Sequence, residues 1–354
     1  MNSMISPARA EKITKSLLGW YDENKRDLPW RHTCNPYAVW ISEVMAQQTR
    51  MVYLLSYYKR FMERFPTIQS LAEASEDDVL KVWEGLGYYT RARNLQKAAQ
   101  KMMTHFNGQL PQTTKELLTL PGVGEYTAGA ILSIAYDLPV PAVDGNVLRL
   151  YSRLENSDED IVLPKTKKRA ADFVVELIPQ KRAGCFAQAL MELGALVCLP
   201  KNPNCTVCPL AAFCLARASS CQLELPKKSV KKPPKILPKT VLIICNPEDQ
   251  ILMRQRTETL LFGLWEFFLL DAAMMESELK IHLRELGFTV ESMKDIGAAK
   301  HVFTHQIWHM HGYAGTVFGD FILPGYQWVP KKDVENLAIP TAMRFFSKQI
   351  GTYI

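Results

Sequence analysis

The chain has 354 residues, 47% of them hydrophobic, and its 42 basic and 36 acidic side chains leave a net charge of +6. That length suits two or three domains with real cores, and no apolar run is long enough to span a bilayer. The opening MNSMISPARAEKITKSLLGW lacks the apolar core and small-residue cleavage site of a signal peptide, so a cytoplasmic enzyme is expected. The mild positive charge permits nucleic acid as a partner without establishing it.

In chain order, the first elements are helical. NPYAVWISEVMAQQTRMVYLLSYYKRFMERF opens with the helix-start signals Asn35 and Pro36 and continues with apolar residues at helical spacing. SEDDVLKVWEGL, TRARNLQKAAQKMMTHF, TKELLTL, YTAGAILSIAY and CFAQALMELGALVC carry the same period. Between two of these runs, LPGVGEYTAG places Gly122 and Gly124 just before a helix. Such a pair is either a tight turn or a loop whose amides approach a phosphate at a helix N-terminus.

The segment from Lys227 to Lys239 holds six lysines, three prolines and no acid, and reads as an extended connector. Beyond it, TVLIIC, FGLWEFFLL, AKHVFTHQIWHMHGYAG and YQWV read as strands, with one helix in ESELKIHLRELG. The expected organisation is an all-α region over 1–225, a basic Pro/Lys linker over 226–239, and a smaller α+β domain over 240–354.

Eight cysteines in a chain with no secretory signal argue against a disulfide scaffold. Cys198, Cys205, Cys208 and Cys214 form a C-x6-C-x2-C-x5-C run whose crowded thiolates call for a cation. Zinc and a [4Fe–4S] cluster both suit four sulfur ligands, and spacing alone does not separate them. Cys34, Cys185, Cys221 and Cys245 have no comparable spacing.

This cysteine run, following LPGVG and the aspartate of VPAVDGNVLRL, resembles the endonuclease III superfamily of DNA glycosylases over roughly residues 10 to 220. The resemblance implies a structural [4Fe–4S] cluster on the four cysteines and a helix–hairpin–helix at LPGVG that grips the DNA backbone. The amides of Gly122, Val123 and Gly124 would then hold a phosphate without reading sequence. A flipped-out base requires that grip on distorted duplex.

Cleavage of a glycosidic bond through an oxocarbenium-like state favours a carboxylic acid on the leaving group and a carboxylate beside the cation. Glu43 lies among Trp40, Ile41, Val44 and Met45, where burial would raise its pKa and keep it protonated. Asp144 sits near a helix start, where it would stay ionised. At position 126, bifunctional members of the superfamily carry a lysine nucleophile, but this chain has Tyr126.

That departure, with RDLPWR and EVMAQQT, is similar to the MutY adenine DNA glycosylases, which remove adenine mispaired with 8-oxoguanine. The similarity implies Glu43 as the acid and Asp144 as the stabiliser, with Tyr126 and Asn146 completing the catalytic set. It implies an adenine pocket from Arg26, Leu28, Trp30, Arg31 and Gln188. Gln48 and Tyr88 would fill the disturbed base stack. The implied partner is double-stranded DNA with A opposite 8-oxoguanine or G, bound by a monomer in a bacterial, nucleoid-associated setting.

FGLWEF resembles the strand that begins a Nudix-type fold, yet ESELKIHLRELGF lacks the glutamate-rich set that holds divalent cations. A recognition module is therefore expected, with Phe303, Thr304 and His305 of HVFTH inspecting the 8-oxoguanine strand. The spacing of His301, His305, His309 and His311 suits a solvated strand face better than a metal site. A bifunctional endonuclease III-like enzyme is disfavoured by the absent lysine, a silent lesion-binding protein by the presence of both carboxylates, and a nucleotide hydrolase by the missing glutamates.

Overall fold

The computed structural model describes residues 5–49, 51–229, 233–319 and 323–353. The chain begins with α1 (Pro7–Asn24), α2 (Pro36–Ala46), α3 (Met51–Arg64), α4 (Ile68–Glu73), α5 (Glu76–Trp83) and α6 (Thr90–His105). Then come α7 (Thr114–Leu117), α8 (Glu125–Tyr136), α9 (Gly145–Leu154), α10 (Pro164–Leu177), α11 (Ala183–Leu196) and α12 (Leu215–Ala218). No helix among the described residues is long and apolar enough to cross a membrane. Packing divides the chain into two compact units, Met1–Glu73 with Asn94–Val230, and Ala74–Arg93 with Lys231–Ile354.

In the helical unit, α2 starts where the sequence signals place it. The Asn35 side chain accepts from the amides of Tyr37 and Ala38, and Pro36 fills the first turn, where no intrahelical N–H partner is needed. Every residue from Tyr37 to Met45 is buried, as befits a helix apolar on all sides. Glycines set how closely α8 and α11 approach their neighbours. A Cβ on Gly129 would lie 2.1 Å from the Pro141 carbonyl oxygen, and one on Gly184 would lie 2.5 Å from that of Ser133. Asp137 ends α8 in the left-handed region and caps α11, accepting from the amides of Arg182 and Gly184. Alanines 130, 142 and 187 fill the narrow space behind Tyr126 and Met191. One core of this unit joins α1, α9, α10 and α11 around Leu17, Phe173, Phe186 and Leu193.

The second unit holds β1 (Lys235–Cys245), β2 (Gln250–Gln255), β3 (Trp265–Leu270), α13 (Glu276–Glu285), β4 (Thr289–Val302), β5 (Gln306–Phe318), β6 (Tyr326–Pro330) and α14 (Arg344–Ser347). They form one mixed sheet of order β4-β5-β1-β3-β2-β6, in which, among the described residues, β1 and β5 pair in parallel and the other neighbours antiparallel. Alternation along β1 sends Val241 and Ile243 to the face covered by Met343 and Phe346. Leu242 and Ile244 go to the face covered by Leu279 and Leu283 of α13. Within the connector region, residues 230–232 lie outside the described residues. The Lys/Pro-rich stretch enters the sheet at Lys235, where it pairs with Gln306. The lysines hid that strand because the partner that satisfies its backbone lies some seventy residues away.

Gly129 therefore brings the segment leading to Asp144 against α8. Gly129→Ala is expected to lower stability by about 1–3 kcal/mol through overpacking against a backbone carbonyl. Gly124→Ala, with nothing within 4 Å of its built Cβ, is expected to stay within about 1 kcal/mol of the parent. Thermal unfolding of both variants checks the contrast, and equal losses would contradict it.

Candidate active site

Glu43 projects from the last turns of α2 and is 9% exposed. Tyr126, in the first turn of α8, donates its hydroxyl to Glu43 Oε2 at 2.5 Å and also reaches the Met191 sulfur at 3.5 Å. Burial pushes the Glu43 carboxyl up to about 7; the Tyr126 hydrogen bond and the Arg31 charge oppose the shift, and the Asp144 charge adds to it. The same carboxylates and burial hold the Tyr126 phenol well above its ordinary value, so it remains a donor.

Asp144 is the N-cap of α9. Its Oδ1 accepts from the amides of Asn146 and Val147 at 2.9 and 2.8 Å, and its Oδ2 accepts from Asn146 Nδ2 at 2.7 Å. Burial raises its pKa, against these donors and the Arg149 charge. With three donors to the single donor on Glu43, Asp144 ionises first and Glu43 keeps the proton. Arg149 extends the chain of contacts, donating to Asn146 Oδ1 at 2.8 Å and to the carbonyls of Gly194 and Cys198, each at 2.8 Å.

A second group of side chains forms around Glu192 on α11, which is 1% exposed. Its oxygens accept from the backbone and guanidinium of Arg26 and from both terminal nitrogens of Arg31, at 2.7–3.0 Å. These partners hold the Glu192 carboxyl down to about 2 despite its burial. Arg31 Nε donates to Gln188 Oε1 at 3.1 Å and Gln188 Nε2 donates to the Gly184 carbonyl at 3.3 Å, which fixes the amide. Glu192 and Arg149 were missed in the sequence. The signal for Glu192 was its place one turn after Gln188 on the same face. Leu28 and Trp30 are buried, and the Trp30 ring meets Tyr58 edge-on at 4.8 Å.

In the hairpin, Gly122 has φ +76°, and a Cβ there would lie 2.8 Å from that of Asn94, so the fold itself demands glycine. Gly124 is the N-cap of α8, with extended backbone and open space around it. The Val123 amide donates to the Leu120 carbonyl at 3.2 Å inside the turn. Gln48 is exposed just past α2 with φ 58°. Tyr88 stands half-exposed between α5 and α6, with φ 49°. Phe303, Thr304 and His305 form the turn between β4 and β5. Thr304 and His305 are exposed, whereas the Phe303 ring packs on Trp308 at 4.9 Å and His301 at 4.5 Å.

Cys198, Cys205, Cys208 and Cys214 line one cavity with Arg153 and Gln222. Burial pushes the Cys208 thiol up to about 11, and the three other cysteines add to the rise. Arg153, 2% exposed, donates to Cys198 Sγ at 3.1 Å and to the Leu199 carbonyl at 2.8 Å. A shared cavity, four thiols and a buried cation beside one of them form a donor set that fits a thiolate-held cluster. Among the described residues, no group of three or more His, Cys, Asp or Glu side chains is already drawn together to hold a metal ion, neither these cysteines nor the histidines of β4 and β5.

Comparison with known proteins agrees with this architecture. Residues 41–180 match the HhH-GPD superfamily of base excision DNA repair proteins, and residues 240–349 match the NUDIX domain. The chain is 34% identical over 394 residues to the adenine DNA glycosylase of Rattus norvegicus, covering 93% of this chain and 76% of the relative. The Homo sapiens adenine DNA glycosylase is 34% identical, covering 93% and 72%. That of Buchnera aphidicola from Acyrthosiphon pisum is 34% identical, covering 84% and 85%. Among solved structures, a thermostable thymine-DNA glycosylase superposes with a TM-score of 0.55 at 24% identity, over 60% of this chain and 98% of its own. An endonuclease III in a non-covalent complex with DNA gives 0.52 at 23%, over 61% and 99%. These two establish the fold of the helical region.

The raised Glu43 value carries a consequence for stability. Its folded-state value, about 7, lies above the ordinary 4.5. The neutral acid is thus the form that folding favours, its contribution is complete below pH 4.5, and it is lost as pH climbs through 7. Glu43→Gln is expected to leave stability nearly unchanged at pH 4. At pH 8 it should add up to about 3 kcal/mol, at 1.36 kcal/mol per pKa unit. Denaturant unfolding at the two pH values measures the difference; a gain equal at both would contradict burial as the cause.

Proposed function

Since this chain belongs to the adenine DNA glycosylase family, we propose that it hydrolyses the N-glycosidic bond of adenine mispaired with 8-oxoguanine or G in double-stranded DNA, with Glu43 as general acid. The observation that carries this reading is the buried Glu43 carboxyl, hydrogen-bonded to Tyr126 beside an N-capped Asp144. Adenine leaves poorly as an anion, so a proton delivered to N7 supplies much of the rate. Glu43 holds that proton near neutral pH. Tyr126 occupies one carboxyl oxygen and leaves the other to face the base.

As the C1′–N9 bond breaks, its electron pair departs with the protonated adenine, and positive charge develops on the sugar. Asp144, held by the Asn146 and Val147 amides and by the Asn146 side chain, supplies a fixed counter-charge with little reorganisation. Water adds to C1′, and its proton restores Glu43. Tyr126 offers no amine, so no Schiff base forms with the sugar at that position and the enzyme is monofunctional. Arg26, Arg31 and Gln188, organised by Glu192, form the polar wall against the base edge, and Leu28 and Trp30 support it from the core.

Gly122 and Gly124 contact the DNA backbone, and Gln48 and Tyr88 occupy the opened stack. Cys198, Cys205, Cys208 and Cys214 would hold a [4Fe–4S] cluster, which when bound would cross-link the loop between α11 and α12. Arg153 offsets part of the thiolate charge there. In the second unit, two of the three acids of α13 are engaged locally: Glu278 accepts from the Met275 amide, and Glu276 pairs with Lys280. This supports recognition over pyrophosphate hydrolysis. Thr304 and His305 read the base opposite adenine, and Phe303 supports their turn.

Single-turnover excision from an A·G duplex tests the acid. The rate is expected to fall as pH rises above about 7, because only protonated Glu43 donates. Glu43→Gln should abolish excision while retaining duplex binding, and Asp144→Asn should lose more than tenfold, above about 1.4 kcal/mol. A flat profile to pH 9 or a wild-type rate in Glu43→Gln would contradict the assignment. For the reader, Thr304→Ala with His305→Ala should cost about 1–3 kcal/mol of preference for 8-oxoguanine over G. Unchanged preference in that double variant would remove both residues from lesion reading.

A further inference from the structure

Residues 74–93 precede most of the helical region in sequence but pack in the same compact unit as the C-terminal sheet. Val79, Leu80 and Trp83 of α5 are fully buried, so this is a packed element of that unit. Its polar anchors are specific. Lys81 Nζ donates to the carbonyls of Glu335 and Leu337 at 2.5 and 3.0 Å, at the end of a short 3-10 turn. Arg93 donates to the Phe262 carbonyl and stacks over the Phe262 ring at 5.0 Å. Gln255 Nε2 donates to Asp77 Oδ1 at 3.1 Å.

The FGLWEF motif gains a steric role here. Gly263 has φ +75°, and a Cβ on it would lie 3.1 Å from Glu76 Oε1, 3.4 Å from Arg93 Nη1 and 3.5 Å from Leu80 Cδ1. Glycine lets that turn sit directly on the 74–93 segment.

Between those anchors runs the loop that carries Tyr88. Gly85 and Gly87 have positive φ, and Trp83 Nε1 and Arg91 Nη2 both donate to the Gly87 carbonyl, at 3.1 and 3.2 Å. Tyr88 itself is held at φ 49°, a conformation costly for a non-glycine residue and kept only where its surroundings enforce it. Its ring is half-exposed, and its hydroxyl lies 3.2 Å from Thr304 Oγ1.

We propose that the C-terminal domain seats the Tyr88 wedge, with Lys81 and Arg93 as positioning residues that fix the α5–α6 loop against residues 262 and 335–337. The proposal rests on the reading that Tyr88 enters the base stack. Its consequence is that this domain contributes to opening the duplex at any A mispair, separately from recognising the base opposite. Loss of the seat lowers excision from A·8-oxoguanine and A·G together, whereas loss of the reader lowers their ratio.

The test uses the full chain and a duplex with 2-aminopurine next to 8-oxoguanine, placed opposite a non-cleavable 2′-fluorodeoxyadenosine. Wild type is expected to give a fluorescence rise on binding as the wedge unstacks the probe. Lys81→Met with Arg93→Met should lose most of that rise and about tenfold in single-turnover excision from both mispairs. Their ratio should stay within twofold, and Arg93→Lys, which keeps a donor, should recover most of the signal. Lys81→Met alone keeps an unbranched stem while removing the carbonyl contacts and the ion pair with Glu84, and should still reduce the rise at least twofold. A full rise in both variants overturns the inference, as does a loss confined to the 8-oxoguanine-to-G ratio. Absence of excision by wild type from every mispair would instead defeat the underlying functional reading.

Discussion

The burial of one carboxyl group organises the helical unit. Helix α2 is apolar on every side, and Glu43 is carried into the interior with it. A charged carboxylate there would be costly, so the group answers by holding its proton. The Tyr126 hydroxyl satisfies one oxygen, and this sets where α8 must stand relative to α2. Gly129 and the small alanines behind Tyr126 permit that approach, and the segment they admit ends at Asp144. Stability is given up at Glu43 near neutral pH, and a carboxyl that keeps its proton there is what results.

Two carboxylates of similar intrinsic strength are thereby driven to different tasks. Asp144 meets a helix N-terminus and an asparagine; Glu43 meets one phenol and apolar walls. The difference in hydrogen-bond donors decides which of them is charged. Glu192 is a third case: also buried, but met by two guanidinium groups, it is ionised and serves as an anchor for Arg26, Arg31 and, through Arg31, Gln188.

Much of this was legible in the sequence because the signals are local. Asn35-Pro36 marks the start of α2, the neighbours of Glu43 are apolar, and Asp144 precedes a helical run, so burial and capping follow from short stretches. The cysteine spacing likewise brings four thiols to one cavity. What escaped depends on distant partners. Glu192 and Arg149 look like ordinary helix-surface charges until the elements facing them are known. The strand beginning at Lys235 is hidden by its lysines. Nothing local in SEDDVLKVWEGL distinguishes it from its helical neighbours, yet it packs in the unit of the C-terminal sheet, and Tyr88 goes with it. Phe303 reads as part of a contact loop in sequence, but its ring is packed on Trp308.

The Glu43–Tyr126–Asp144 site is proposed to excise adenine, chosen by the base opposite. The most direct measurement incubates the protein with end-labelled duplexes carrying A opposite 8-oxoguanine, A opposite G, or A opposite T, followed by alkali. Cleavage of the A strand is expected in the first two, fastest opposite 8-oxoguanine, with the A·T duplex left intact. Strand cleavage without alkali, excision from A·T at a comparable rate, or cleavage at the 8-oxoguanine strand would contradict it.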